Sequence, residues 1–159
     1  MIFVTLGTQD KSFHRLLESI ESMIEEEIIT DLVVVQAGYT KFESKHMEIV
    51  DYVEMDKFEK YIDSCDLLIT HGGVGSILSG CLAHKKVLAV SRLEQYNEHE
   101  NDHQIQIVRE FTKRNYILGC FDAKDLKKTY ISVKDFKPTE YIPNNEHICN
   151  MIVDYINNI

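Results

Sequence analysis

Ten residues constrain the fold of this chain more than any other stretch: Leu67-Leu68-Ile69-Thr70-His71-Gly72-Gly73-Val74-Gly75-Ser76. Leu67 to Thr70 reads as a buried strand. His-Gly-Gly-x-Gly-Ser reads as a loop, and Val74 to His84 as a helix rich in small residues. Glycines let backbone N–H groups approach a ligand with no Cβ in the way. A helix start adds unpaired donors and a partial positive charge, which suits a phosphate. The economical reading is a nucleotide-diphosphate site. The same composition also serves a plain tight turn, and loop composition does not separate the two.

The rest of the chain repeats the strand-to-helix theme. Ile2 to Leu6 is an apolar strand that stops at Gly7. Leu32 to Val35 and Val87 to Val90 are continuous apolar runs, as expected of strands covered on both faces. Ile49 to Val53 and Tyr116 to Cys120 are weaker strands. Phe13, Leu16, Leu17, Ile20, Met23 and Ile24 recur at helical spacing, as do Ile105, Ile107, Val108 and Phe111. Phe58 to Ile62, Asp122 to Tyr130 and Glu146 to Ile156 complete the helices. The alternation predicts an α/β fold: one Rossmann-like, mostly parallel sheet with helices on both faces. Residues 1–159 suffice for a single domain with a real core. Ligands in such sheets lie beyond the carboxyl ends of the strands. Three polar loops fall there: Gly7-Thr8-Gln9, Gln36-Ala37-Gly38 and His71 to Ser76.

A formal net charge of −9 argues against a nucleic-acid partner. No apolar run has the length of a membrane span, and no signal peptide precedes Ile2-Phe3-Val4, so a cytoplasmic location is expected. Cys65, Cys81, Cys120 and Cys149 lack CxxC spacing and read as buried free thiols.

Gly7 and Thr8 follow the first strand and would face a phosphate from the side opposite the glycine loop; an ordinary strand-to-helix turn needs no more. A second polar cluster runs from Arg92 to Gln104, after the strand Val87 to Val90. Asn101 or Asp102 can cap the following helix. The density of Glu98, Asn101, Asp102, His103 and Gln104 also suits recognition of sugar hydroxyls. His99-Glu100-Asn101-Asp102-His103 matches HExxH, but Asn-Asp favours a helix start over a mid-helix zinc site, and a third ligand is not evident. No metal is expected. His71 is either a phosphate contact or a hydrogen-bonded core histidine. No nucleophilic triad, Walker lysine or paired catalytic carboxylates stand out, so no catalytic residue is named.

With these residues assembled, the chain resembles the C-terminal half of a GT-B glycosyltransferase, in the family 28 group that includes MurG. More closely, it resembles the PssE-like small subunits of bacterial capsule and exopolysaccharide synthesis. The likeness runs from Ile2-Phe3-Val4-Thr5-Leu6-Gly7-Thr8-Gln9 through Gln36-Ala37-Gly38 and Cys65 to Ser76. It ends most clearly in Glu98-His99-Glu100-Asn101-Asp102-His103-Gln104. The resemblance implies a UDP-sugar substrate, no further cofactor and metal-independent transfer. Gly7, Thr8, His71, Gly72, Gly73, Val74, Gly75 and Ser76 would hold the diphosphate. The nucleobase would lie near Met55. Glu98, Asn101, Asp102, His103 and Gln104 would read the donor sugar, a hexose, with galactose favoured. Relatives often hold the ribose with a Glu in the helix after the glycines, where this chain has Ser79, which would leave the ribose to Glu94, Glu98 or a partner, or unread. A PssD-like membrane-associated subunit would supply the acceptor half and hold this chain at the inner face of the membrane. The alternative is a non-catalytic enhancer that stabilises such a partner without binding nucleotide.

Overall fold

The computed structural model describes residues 1–143. In chain order the elements are β1 (Ile2–Thr5), α1 (His14–Glu25), β2 (Val33–Gln36), β3 (Met47–Val50), α2 (Met55–Ser64), β4 (Leu67–His71), α3 (Val74–Leu82), β5 (Lys86–Val90), α4 (His103–Lys113), β6 (Leu118–Cys120) and α5 (Leu126–Ile131). Short 3-10 turns occupy Glu94–Tyr96 and Ala123–Asp125. The sheet order is β3-β2-β1-β4-β5-β6, and every neighbouring pair is parallel.

Residue alternation along each strand builds two cores. Ile2 and Val4 of β1, Val33 and Val35 of β2, Ile69 of β4 and Leu88 of β5 face α1 and α5. They meet Leu16, Leu17, Ile20 and Met23 of α1 there, all buried. Phe3, Val34, Leu68 and Val87 face the other way, against Ile62 of α2, Ile77 and Cys81 of α3 and Val108 of α4. A strand covered on both faces has no polar side, which is why these segments read as unbroken apolar runs.

Strand order reverses between β2-β1 and β4-β5, so the loops after β1 and β4 diverge to opposite faces and leave a crevice at their carboxyl ends. Register makes those ends level: Thr5 pairs with Gln36 on one side and with Thr70 on the other. The three polar loops expected from the sequence therefore emerge side by side.

Several boundaries differ from the sequence reading. Helix α2 starts at Met55 rather than Phe58, because its first turn is solvated (Met55 is 68% exposed) and carries no apolar period. The strand expected at 49–53 is β3, Met47–Val50, which ends level with β2 because it pairs with it residue for residue. Leu32 falls outside β2 and is exposed. The helix expected at 122–130 is broken: Asp122 accepts a hydrogen bond from the Lys124 N–H (3.2 Å), giving a 3-10 turn before α5. Cys65, Cys81 and Cys120 are buried free thiols. Burial pushes the Cys81 thiol up to about 11. Cys149 and the helix expected at 146–156 lie outside the described residues. No helix among the described residues is long and apolar enough to cross a membrane.

Candidate functional site

A cavity of about 330 Å³ lies over the carboxyl ends of β1, β2 and β4. Thr5, Gly7 and Thr8 line one wall and His71, Gly73, Gly75 and Ser76 another; Gln36, Tyr52, Val53, Met55 and Phe58 extend it towards β3 and α2. Its size lies at the small end of ligand sites.

The glycine loop supplies its donors. Gly73 is the N-cap of α3 and has no side chain to cap it. The Gly73 N–H donates to the His71 carbonyl (2.8 Å), and the first intrahelical bond runs from the Ile77 N–H to the Gly73 carbonyl (3.2 Å). The amides of Val74, Gly75 and Ser76, at the positive end of the α3 dipole, have no partner of this kind among the described residues. These are the donors a phosphate would take.

The His71 ring fixes the loop from below. A Cβ at Gly7 would sit 2.5 Å from His71 Cε1, and one at Gly73 would collide with His71 Nε2. Gly7 also has φ +77°, a left-handed conformation that strains any side chain. Both glycines are required by one imidazole. Burial, with the nearby Arg92 charge as a second cause, lowers the His71 pKa to about 4. At neutral pH the ring is uncharged and acts as a donor and a wedge, not as a countercharge.

The second polar cluster is built on Arg92, which is 1% exposed. Its Nη1 donates to the carbonyls of Lys11 (2.7 Å) and Glu98 (3.1 Å), and its Nη2 to that of Leu6 (2.7 Å). The guanidinium lies 5.0 Å from the Phe13 ring centroid. Burial lowers its pKa to about 10, so it stays charged at neutral pH. Gln104 works beside it. Its Oε1 accepts from the Gly72 N–H (3.0 Å) and the Arg92 N–H (3.1 Å). Two N–H donors fix which end of the amide faces them, so Nε2 is directed away. Glu98, 3% exposed, takes Arg15 Nε (2.8 Å) and Nη2 (2.9 Å) on its two oxygens and accepts from the Leu93 N–H (3.0 Å). Arg15 Nη1 reaches on to Asp122 (2.7 Å).

The structure thus gathers Gly7, Thr8, Met55, His71, Gly73, Gly75 and Ser76 into one cavity. Gly72 is buried beneath it, with its amide taken by Gln104, and is not an open phosphate donor. Val74 contributes only its amide, since its side chain is exposed and does not line the cavity. The expected role of Glu98 is corrected: both its oxygens are spent on Arg15 and the Leu93 amide, so it braces the loop rather than facing a sugar. Asn101, Asp102 and His103 are exposed at the start of α4, outside the cavity lining. Asn101, one residue before the N-cap Asp102, accepts the His103 N–H on its Oδ1 (2.9 Å). Asp102 accepts from the Glu94 N–H (3.0 Å). His99 lies in the preceding loop and His103 begins α4, so the HExxH residues do not share a helical turn. Ser79 gives its hydroxyl to the Gly75 carbonyl (3.0 Å) and does not line the cavity. Sequence reasoning did not select Thr5, Gln36, Tyr52, Val53 and Phe58 for the site. Gln36 alone had a signal, as a polar residue at the end of an apolar strand.

Against models of known families, residues 1–155 match the glycosyltransferase family 28 C-terminal domain. The UDP-N-acetylglucosamine transferase subunit ALG13 of Candida albicans is 31% identical over 110 residues, covering 69% of this chain and 32% of that protein. The chain therefore aligns with about a third of the relative's length. Two solved structures are similar in fold. The glycosyltransferase SnogD from Streptomyces nogalater gives a TM-score of 0.54 at 15% identity, over 86% of this chain and 40% of that one. The glycotransferase of kitacinnamycin gives 0.56 at 12% identity, over 83% of this chain and 34% of that one. With the parallel sheet, the cavity at its switch point and a family match across nearly the whole length, this chain belongs to the glycosyltransferase family 28 C-terminal domain family.

Proposed function

We propose that this chain is the UDP-sugar-binding half of a two-component glycosyltransferase. The observation that carries the reading is the set of uncommitted amides of Val74, Gly75 and Ser76 at a cavity on the strand-order switch point, in a chain of this family. The diphosphate lies across these amides and the loop of Gly7 and Thr8, with neutral His71 beneath. The base lies towards Met55, between Tyr52, Val53 and Phe58. Asn101, Asp102, His103 and the Nε2 of Gln104 read the donor sugar, a hexose with galactose first. The amides and the helix dipole stabilise the leaving diphosphate, so the transfer needs no metal.

The chain covers 40% and 34% of the two similar glycosyltransferase structures. The similar ALG13 protein is named a transferase subunit, which supports a partner for this chain too; we take it to be a PssD-like membrane-associated subunit that carries the acceptor side and holds this chain at the inner face of the membrane. We take the acceptor to be a lipid-linked intermediate of capsule or exopolysaccharide synthesis. Ser79, at the position where the family resemblance implies a ribose-holding Glu, favours one second reading: an enhancer that supports its partner without binding nucleotide.

Calorimetry with UDP, UDP-galactose and UDP-N-acetylglucosamine tests the first half. Co-expression with the membrane subunit and a lipid-linked acceptor tests the second. The chain alone should bind UDP and transfer no sugar, and the pair should transfer. Absence of UDP binding would leave the enhancer, and full transfer by this chain alone would remove the two-component reading.

A further inference from the structure

Several polar side chains of the cavity, Thr8 and Ser76 among them, make no hydrogen bond among the described residues, and of these Gln36 is the buried one. Gln36 ends β2, is 6% exposed and lines the cavity. Its backbone carbonyl accepts from the Leu6 N–H (3.0 Å), but its side-chain amide makes no hydrogen bond among the described residues. Its amide atoms are not sealed from the cavity, so solvent or a ligand completes their hydrogen bonds there. The other polar groups of the cavity are differently placed. Thr5 Oγ1 lies within reach of the Gly7 N–H (3.5 Å). Thr8 is exposed beside the loop amides, and neutral His71 is wedged under the glycines. The Tyr52 ring packs edge-on against Tyr39 at 6.0 Å, out at the solvent side where it is 49% exposed.

Position then selects the ligand part. Along the sheet the cavity runs from α3 and β4, past β1 and β2, to the end of β3 and the start of α2. The phosphate donors are at the first end and the apolar ledge of Val53, Met55 and Phe58 at the other. Gln36 lies between them. In a nucleoside diphosphate the pentose lies between phosphate and base. Ser79, whose hydroxyl bonds within its own helix, is out of reach of it.

We infer that Gln36 reads the ribose hydroxyls of the bound nucleotide, its amide accepting from one hydroxyl and donating to the other. A carboxamide does this without adding a negative charge next to the diphosphate. The inference rests on the proposed donor site. It assigns to β2 the sugar recognition that the helix after the glycine loop does not supply.

The test compares UDP, 2′-deoxy-UDP and 3′-deoxy-UDP on wild type and on Gln36→Met, a near-isosteric change that keeps the buried volume and leaves the backbone bond to Leu6 in place. For UDP the variant should bind about tenfold more weakly. For each deoxy-nucleotide the gap between wild type and variant should narrow, because one of the two hydroxyls that Gln36 engages is gone. If Gln36→Met does not fold, the side-chain NH2 resonances of Gln36 in the wild type decide: they should shift with UDP and shift less with a deoxy analogue. Equal losses on all three nucleotides, or no loss on any, would overturn the role of Gln36 while leaving the donor site standing. Absence of UDP binding by the wild type would instead remove the donor site itself.

Discussion

At the residue scale, the glycines of the loop have different jobs, and their substitutions should separate. A Cβ at Gly75 meets nothing within 4 Å, and the residue lines the cavity. Gly75→Val should therefore keep stability within about 1 kcal/mol, because helix propensity favours the change and nothing clashes. Its UDP affinity should fall at least about tenfold, or roughly 1.4 kcal/mol, since the side chain fills phosphate space. Gly73→Val forces a collision with His71 and should lower stability by about 2 kcal/mol or more, so any lost binding would be confounded with damage to the loop. Denaturant titration alongside UDP calorimetry distinguishes the two. Gln104 allows a similar dissection. Gln104→Glu keeps an acceptor for the Gly72 and Arg92 amides but replaces the outward donor with an oxygen. It should fold and lose UDP-sugar affinity more than UDP affinity. Equal losses would show that Nε2 does not touch the sugar. The importance of Gly73 and Gly75 was legible in sequence, but which one is free and which is wedged was not, because that depends on where the His71 ring lies.

At the element scale, the loop between β5 and α4 is held by charge rather than by apolar packing. Arg92 ties it to the carbonyls of the β1–α1 loop, and Glu98 ties it to Arg15 on α1. Removing one partner of such a buried set strands the other. Glu98→Ala should cost about 3 kcal/mol in urea unfolding. If Glu98 read the donor sugar instead, the same variant would keep its stability and lose only UDP-sugar binding. The density of Glu, His, Asn and Gln in this stretch marked it as special in sequence. Residues that face a ligand and residues that brace a loop have the same composition, however. Only the partners at 2.8 and 2.9 Å assign Glu98 to the second group.

At the scale of the whole molecule, the half-buried imidazole at the centre of the site ties folding to pH. The His71 pKa is about 4 in the folded state against 6.5 for the free side chain. Between these values the unfolded chain binds more protons than the folded one, so stability rises with pH. The contribution is complete above pH 6.5 and is lost as pH falls towards 4, with a span of up to about 3 kcal/mol. Other groups also titrate in acid, so the measurement is a comparison. Between pH 7 and pH 4 the stability of wild type relative to His71→Gln should fall by that amount. A difference that does not change with pH would mean that His71 is not held neutral by the fold.

The sequence alone determined the architecture of this protein. Apolar runs with no polar side require strands covered twice, and their alternation with helical periods leaves a parallel sheet as the arrangement that covers them. It also located the glycine loop, since a helix that opens after such a loop leaves its first amides without an intrahelical partner. Tertiary structure decided which polar residues are left facing the cavity and which are spent on bracing the fold. Gln36 and Glu98 are both buried polar residues at strand ends or loops. One lines a cavity with no side-chain hydrogen bond among the described residues, and the other is paired with Arg15 from a helix distant in sequence. The contrast depends on contacts between segments tens of residues apart, and strand order and register, rather than any local pattern, bring those segments together.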